Sequence, residues 1–253
     1  MNKTSILETG GLFRVTDTYL SVSFEKEQRS LSTAIFGGGF KKITHSVNQK
    51  LTVFYPSPEQ FPGGSVSEYL RLTLLDYGYP PEESCALLTA AKMEWHSHET
   101  LRFHDLVMDV ITTGGVEKTA ARAGSPPLYE ESRGGFFPVG TVNIMIIVNG
   151  CLPEWTMVRS LISITEGKTA AFQDLGIADV NTGAVATGTC TDGITLICNP
   201  EGPVYTDGGT FSVLGSLLAE GAYKTVKHCL ENFDKPWNRF PALATPPPVD
   251  IKF

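Results

Sequence analysis

The chain has 253 residues, with 27 Asp and Glu against 20 Lys and Arg for a net charge of −7, 42% hydrophobic residues and 25 glycines. That composition belongs to ordered globular proteins and excludes disorder, a collagen-like repeat and a coiled coil. The acidic balance, with no basic block, also sets aside nucleic acid as a partner. At about 150 residues per domain the length allows one large domain or two small ones.

Taken in chain order, residues 12–35 alternate as strands do and run into Gly37-Gly38-Gly39. Val66, Tyr69, Leu70, Leu72 and Leu75 predict a helix over 66–77, stopped by Pro80-Pro81; Pro81 then opens the element that leads into residues 86–91. A strand is expected at 103–113, and a loop rich in Gly, Pro and Ser at 124–140. Residues 141–148 are a β-branched run of the kind buried on both faces, ended by Asn149-Gly150. Pro153 starts a helix reaching about Leu175, with Gly176 just beyond it; Trp155, Val158, Ile162, Thr165, Thr169 and Phe172 form its expected buried stripe. A strand at 194–198 and a helix at 215–231 follow, and then a Pro-rich tail at 240–253. The pattern predicts an α/β or α+β single domain over 1–253, with a central mixed sheet flanked by helices and residues 1–30 as an N-terminal extension.

The five cysteines, Cys85, Cys151, Cys190, Cys198 and Cys229, form no CxxC pair and are odd in number, so free thiols in a reducing compartment are expected. The first residues lack the apolar core of a signal peptide, and no apolar run approaches ~20 residues. A cytoplasmic protein with no membrane partner is therefore expected; a homo-oligomer is allowed.

Three clusters of glycine and hydroxyl residues could bring backbone close to a ligand: residues 37–39, 112–115 and 187–193. Neither a P-loop nor a dinucleotide fingerprint is among them. Within the third, Asp192 suits a base or orienter and Thr189 or Thr191 a nucleophile or oxyanion donor, while a turn closed by Asp192 is the plainer reading. On the helix before it, Glu166, Thr169 and Gln173 form a polar stripe, with Lys168 roughly 200° around from Glu166. His96 and His98 point the same way on a strand, but no third metal ligand is placed, so exposed histidines are expected rather than a metal site.

These residues together resemble the adenosylcobinamide amidohydrolase family. The likeness rests on Leu31-Ser32-Thr33-Ala34 with the triple glycine, Leu88-Thr89-Ala90-Ala91, Thr113-Gly114-Gly115-Val116 and Ala121-Arg122-Ala123-Gly124. Its specific part is two blocks, residues 164–171 (ITEGKTAA) and 186–192 (ATGTCTD), in that order. The resemblance implies hydrolysis of the amide between a corrin propionate and aminopropanol, giving adenosylcobyric acid. Glu166 or Asp192 would be the base, Lys168 the oxyanion stabiliser or acid, and Thr189 and Thr191 would contact the amide. Gly37, Gly38, Gly39, Thr113, Gly114, Asn143, Thr169 and Gly188 would line the substrate's seat. Cobalt would arrive with the corrinoid substrate, so no cofactor or protein metal site is implied. Glu117-Lys118 replaces a position where the family pattern carries Asn, which leaves a corrinoid-binding protein without hydrolysis as the alternative.

Overall fold

The computed structural model describes residues 2–116, 119–126 and 141–231. The expectations for Glu117-Lys118, for most of the 124–140 loop and for the 240–253 tail lie outside those residues.

Three strands open the chain: β1 (Lys3–Ile6), β2 (Leu12–Val15) and the 14-residue β3 (Tyr19–Ser32). Leu7, Phe13, Val15, Leu20 and Val22 from this stretch are buried in the core. The first thirty residues are thus an integral part of the sheet rather than an extension. A strand with no apolar alternation follows, β4 (Gly39–Lys50); its buried Ser46, Asn48 and Gln49 hide it from a hydrophobicity reading. Helix α1 (Val66–Asp76) is capped by the Ser65 hydroxyl, which accepts from the Glu68 N–H at 3.1 Å. It buries Val66, Leu70 and Leu74 beside β4 and β5 (Ser84–Thr89), and Pro81 opens a single 3-10 turn, Pro81–Glu83, that leads into β5.

The strand expected at 103–113 is the second arm of a hairpin. β6 (Ser97–Phe103) turns at His104, whose φ of 50° is left-handed, into β7 (Leu106–Gly114). A two-residue strand, β8 (Ala120–Ala121), precedes β9 (Val142–Val148), in which every residue is buried. Ile144, Ile146 and Val148 face one core and Met145 and Ile147 the other, so the run of apolar residues marks a central strand. Helix α2 (Glu154–Asp174), strand β10 (Gly188–Thr189), strand β11 (Gly193–Cys198) and helix α3 (Val213–Glu231) complete the described chain.

The main sheet runs β1-β2-β3-β11-β9-β7-β6, with β4 pairing with β3 and β5. β9 and β11 are parallel, as are β4 and β5, and the other pairings in this sheet are antiparallel. The sheet is mixed and curled, with α3 packed over β6, β7 and β9 and α2 packed against α3, and the chain is a mixed α/β single domain, as its pattern predicts. The curl is clasped by side chains: Asn143 Nδ2 of β9 donates to Asn48 Oδ1 of β4 and to the Leu88 carbonyl of β5, both at 2.9 Å. Another clasp holds the N-terminus, where buried Asp109 accepts from Thr9 N–H (2.9 Å), Thr9 Oγ1 (2.8 Å), Thr100 Oγ1 (2.6 Å) and His98 Nε2 (2.9 Å). Burial opposes the charge on Asp109, but these donors outweigh it and hold the carboxyl below its ordinary value.

Most of the stripe expected to bury α2 points outward, and of its six residues Phe172 alone is buried. Trp155, Val158 and Ile162 are 67%, 52% and 61% exposed, while Thr156, Ser160, Ser163 and Gly167 are buried with Ile164 and Phe172. Small residues win that face because α3 approaches closely: a Cβ on Gly167 would collide with the Ala219 backbone. Among the described residues no helix is long and apolar enough to cross a membrane.

Candidate active site

Two stretches of chain meet at the N-terminal ends of the parallel strands β9 and β11. Helix α2 contributes Lys168, on the side opposite Glu166, and its Nζ donates to Asp192 Oδ2. Asp192 lies at the end of a tight turn just before β11. Its Oδ1 accepts from the Thr189 hydroxyl at 2.5 Å and from the Val142 N–H at 3.1 Å, and its Oδ2 also accepts the Thr189 N–H at 3.0 Å. The pair is nearly enclosed, while Thr189 is half-buried and Cys190 and Thr191 are exposed, so the turn forms its rim.

Gly188 explains how this turn and the helix come so near. A side chain there would collide with both Asp192 Oδ2 and Lys168 Nζ. Thr169, one residue after the lysine, donates to the Thr187 carbonyl at 3.1 Å and pins the turn to α2. Thr191 shapes the turn through its backbone: its N–H meets Thr189 Oγ1 at 3.4 Å and its carbonyl accepts from Thr141 Oγ1 at 2.6 Å. Beside it, Asp179 accepts from the N–H groups of Arg122, Asn181 and Thr182 and from Ser125 Oγ, bracing the segment that carries β8 against β10. Burial works against its charge, yet these donors keep the Asp179 carboxyl below its ordinary value.

Other expected residues lie elsewhere. Glu166 is exposed on the outer side of α2, beside Gly167, Ala170, Ala219, Glu220 and Tyr223, and does not converge with Asp192. The 200° between positions 166 and 168 decides this, because only one of them can face the sheet. Thr113, Gly114 and Asn143 are buried and do not form an open seat; Asn48 Nδ2 donates to Thr113 Oγ1 at 2.7 Å, joining it to the clasp around Asn143. Gly37 and Gly38 turn the chain between β3 and β4, where a Cβ would strike the Ser84 or Ala34 carbonyl; Gly39, at φ 78°, faces open space. His98 is engaged with Asp109, and His96 Nδ1 lies 2.8 Å from the Met93 carbonyl. Partial burial, with the charges of Asp192 and Asp179, pushes the Cys190 thiol up, so it stays protonated at neutral pH.

The family model CbiZ, adenosylcobinamide amidohydrolase, matches residues 6–236. The chain belongs to the adenosylcobinamide amidohydrolase family. It is 30% identical over 244 residues to the uncharacterized protein MJ1613 of Methanocaldococcus jannaschii, across 90% of this chain and 91% of that one. Among solved structures, the PH0078 protein from Pyrococcus horikoshii OT3 aligns over 91% of this chain and 82% of its own, with a TM-score of 0.45 and 12% identity. In this family member the two blocks that carry the resemblance are the ones folded face to face, one supplying Lys168 and the other Thr189 and Asp192.

The Val142 N–H was not legible as a site neighbour from sequence. The carboxylate's partner was legible only as a lysine on the preceding helix. Periodicity can say that Lys168 and Glu166 diverge, but it cannot say which one turns inward.

Proposed function

We propose that this protein hydrolyses the amide joining a corrin propionate to 1-amino-2-propanol in adenosylcobinamide, yielding adenosylcobyric acid and the amino alcohol, a step of cobalamin-precursor salvage. The observation that carries this reading is the enclosed Lys168–Asp192 pair with the Thr189 hydroxyl donating to its carboxylate at 2.5 Å. Amide hydrolysis needs an attacking oxygen, a base to take its proton and an acid for the departing amine, and this cluster offers all three.

In this reading Asp192 takes the proton of Thr189 Oγ1 as that oxygen bonds to the amide carbon. The Lys168 ammonium balances the carboxylate before transfer and the developing oxyanion after it. As the tetrahedral intermediate collapses, the C–N bond breaks and the amine leaves with a proton relayed from Asp192 through Lys168. Water then cleaves the Thr189 ester, releasing the corrin carboxylic acid and restoring the hydroxyl. The corrin ring rests on the exposed rim made by Cys190 and Thr191 with Thr33, which is bonded to Ile194 at the start of β11. Glu166 has no part in this chemistry.

The test is incubation of the purified protein with adenosylcobinamide. Release of 1-amino-2-propanol with adenosylcobyric acid supports hydrolysis. A shifted corrinoid spectrum with no amine released supports a corrinoid-binding protein instead.

A further inference from the structure

Glu166 and its neighbours form a surface of their own. At 100° per residue, Trp155, Ile162 and Glu166 lie within about 20° of one line along α2, with Arg159 and Ala170 on one flank and Val158 on the other. Trp155, Val158 and Ile162 are all more than half exposed, an unusual placement for three large apolar side chains on one helix face. The stripe runs into a hollow of about 320 Å³ between α2 and α3, lined by Glu166, Gly167, Ala170, Ala219, Glu220 and Tyr223.

We propose that this face is the interface of a twofold dimer, in which α2 packs antiparallel on α2 of a second copy of this chain. Charge complementarity selects that occupant and that register. Arg159 and Glu166 are seven residues apart on the same face, so a twofold axis between residues 162 and 163 sets Arg159 against the partner subunit's Glu166, and by symmetry does so twice. A parallel packing in register would oppose like charges. Arg159 already meets Asp207 through its Nε at 3.1 Å, but its side chain is 61% exposed and its guanidinium keeps further N–H donors for a second carboxylate. The same register places the Trp155 indole over the partner subunit's Ala170, at the hollow where Gly167, Ala170 and Ala219 leave room for it. An aromatic anchor in an apolar hollow is the usual centre of a stable interface. Ile162 meets its own twin close to the axis.

Sedimentation equilibrium of the full chain from about 1 to about 100 μM tests this. The expected mass is twice 27.4 kDa. Glu166→Arg and Arg159→Glu should each weaken association by about tenfold or more, and the two together should restore it to within about threefold. Trp155→Ala should weaken it as well. Unchanged far-UV circular dichroism shows that these surface variants remain folded. Ile162→Cys adds an independent readout, because mild oxidation should link position 162 to position 162 between subunits. A monomer at every concentration, a species larger than a dimer, a dimer indifferent to Trp155→Ala and Glu166→Arg, or a paired charge swap that fails to restore association would each overturn the proposal.

Discussion

Lys168 and Asp192, 24 residues apart in the chain, form an ion pair whose side chains are only 10% and 12% exposed. Breaking such a pair from one side leaves a nearly buried charge without its partner, at a cost of about 3 kcal/mol. Asp192→Asn and Lys168→Met should each lower stability to urea by about that amount. The double variant, with neither charge, should lose about 3–5 kcal/mol rather than the roughly 6 that simple addition gives, a coupling of about 1–3 kcal/mol in the mutant cycle. Amine release should be depressed in all three by about a hundredfold or more, because each variant lacks the base, the acid or both. Strictly additive stability losses would show that the pair does not act as one unit.

Gly188→Ala tests the closeness of the turn and the helix. The added methyl must displace Asp192 Oδ2 or Lys168 Nζ. Overpacking of this kind costs about 1–3 kcal/mol, and it should abolish turnover while the far-UV spectrum is kept. A fully active Gly188→Ala protein would mean that the pair lies further from residue 188.

Asn143 is buried and clasps β9 to β4 and β5. Asn143→Ala strips the buried Asn48 Oδ1 and the Leu88 carbonyl of their shared donor. Each unsatisfied acceptor costs about 1–3 kcal/mol, so a fall of at least about 2 kcal/mol is expected from urea titration. KM for adenosylcobinamide should change little. A large rise in KM without loss of stability would return Asn143 to the binding surface.

How much was readable from the sequence depended on whether burial was achieved with apolar side chains. β9 was legible because Ile144 to Val148 bury both faces with apolar residues. β4 was not, because it fills its interior positions with Ser46, Asn48 and Gln49. Helix α2 was placed correctly along the chain but turned the wrong way, since Thr156, Ser160, Ser163 and Gly167 look like a surface and Trp155, Val158 and Ile162 like a core. That inversion also misplaced Glu166. Asp192 and Thr189 were legible as a pair because they share one short glycine-containing turn, whereas the clasp from Asn48 to Asn143 spans 95 residues and needs the curl of the sheet to exist.

Stability should fall toward acid in two stages. Burial holds His45 and His96 below their ordinary value of 6.5, so the unfolded chain binds more protons than the folded one once pH drops under that value. Their stabilisation is complete above pH 6.5 and declines as pH falls from there toward the lower folded-state values. Asp109 and Asp179 are held below 3.8, so their contribution is complete above that value and disappears as pH falls through their folded-state values. Thermal melts between pH 8 and pH 3 should show both declines. Asp109→Asn should blunt the second, and a melting temperature flat across the range would contradict the assignment.

The measurement that bears most directly on the central claim is the rate of 1-amino-2-propanol release from adenosylcobinamide, compared between the unaltered protein and its Thr189→Ala and Asp192→Asn variants. The account predicts release by the unaltered protein and a loss of about a hundredfold or more in each variant. Equal rates in all three, or no release by the unaltered protein, would contradict it.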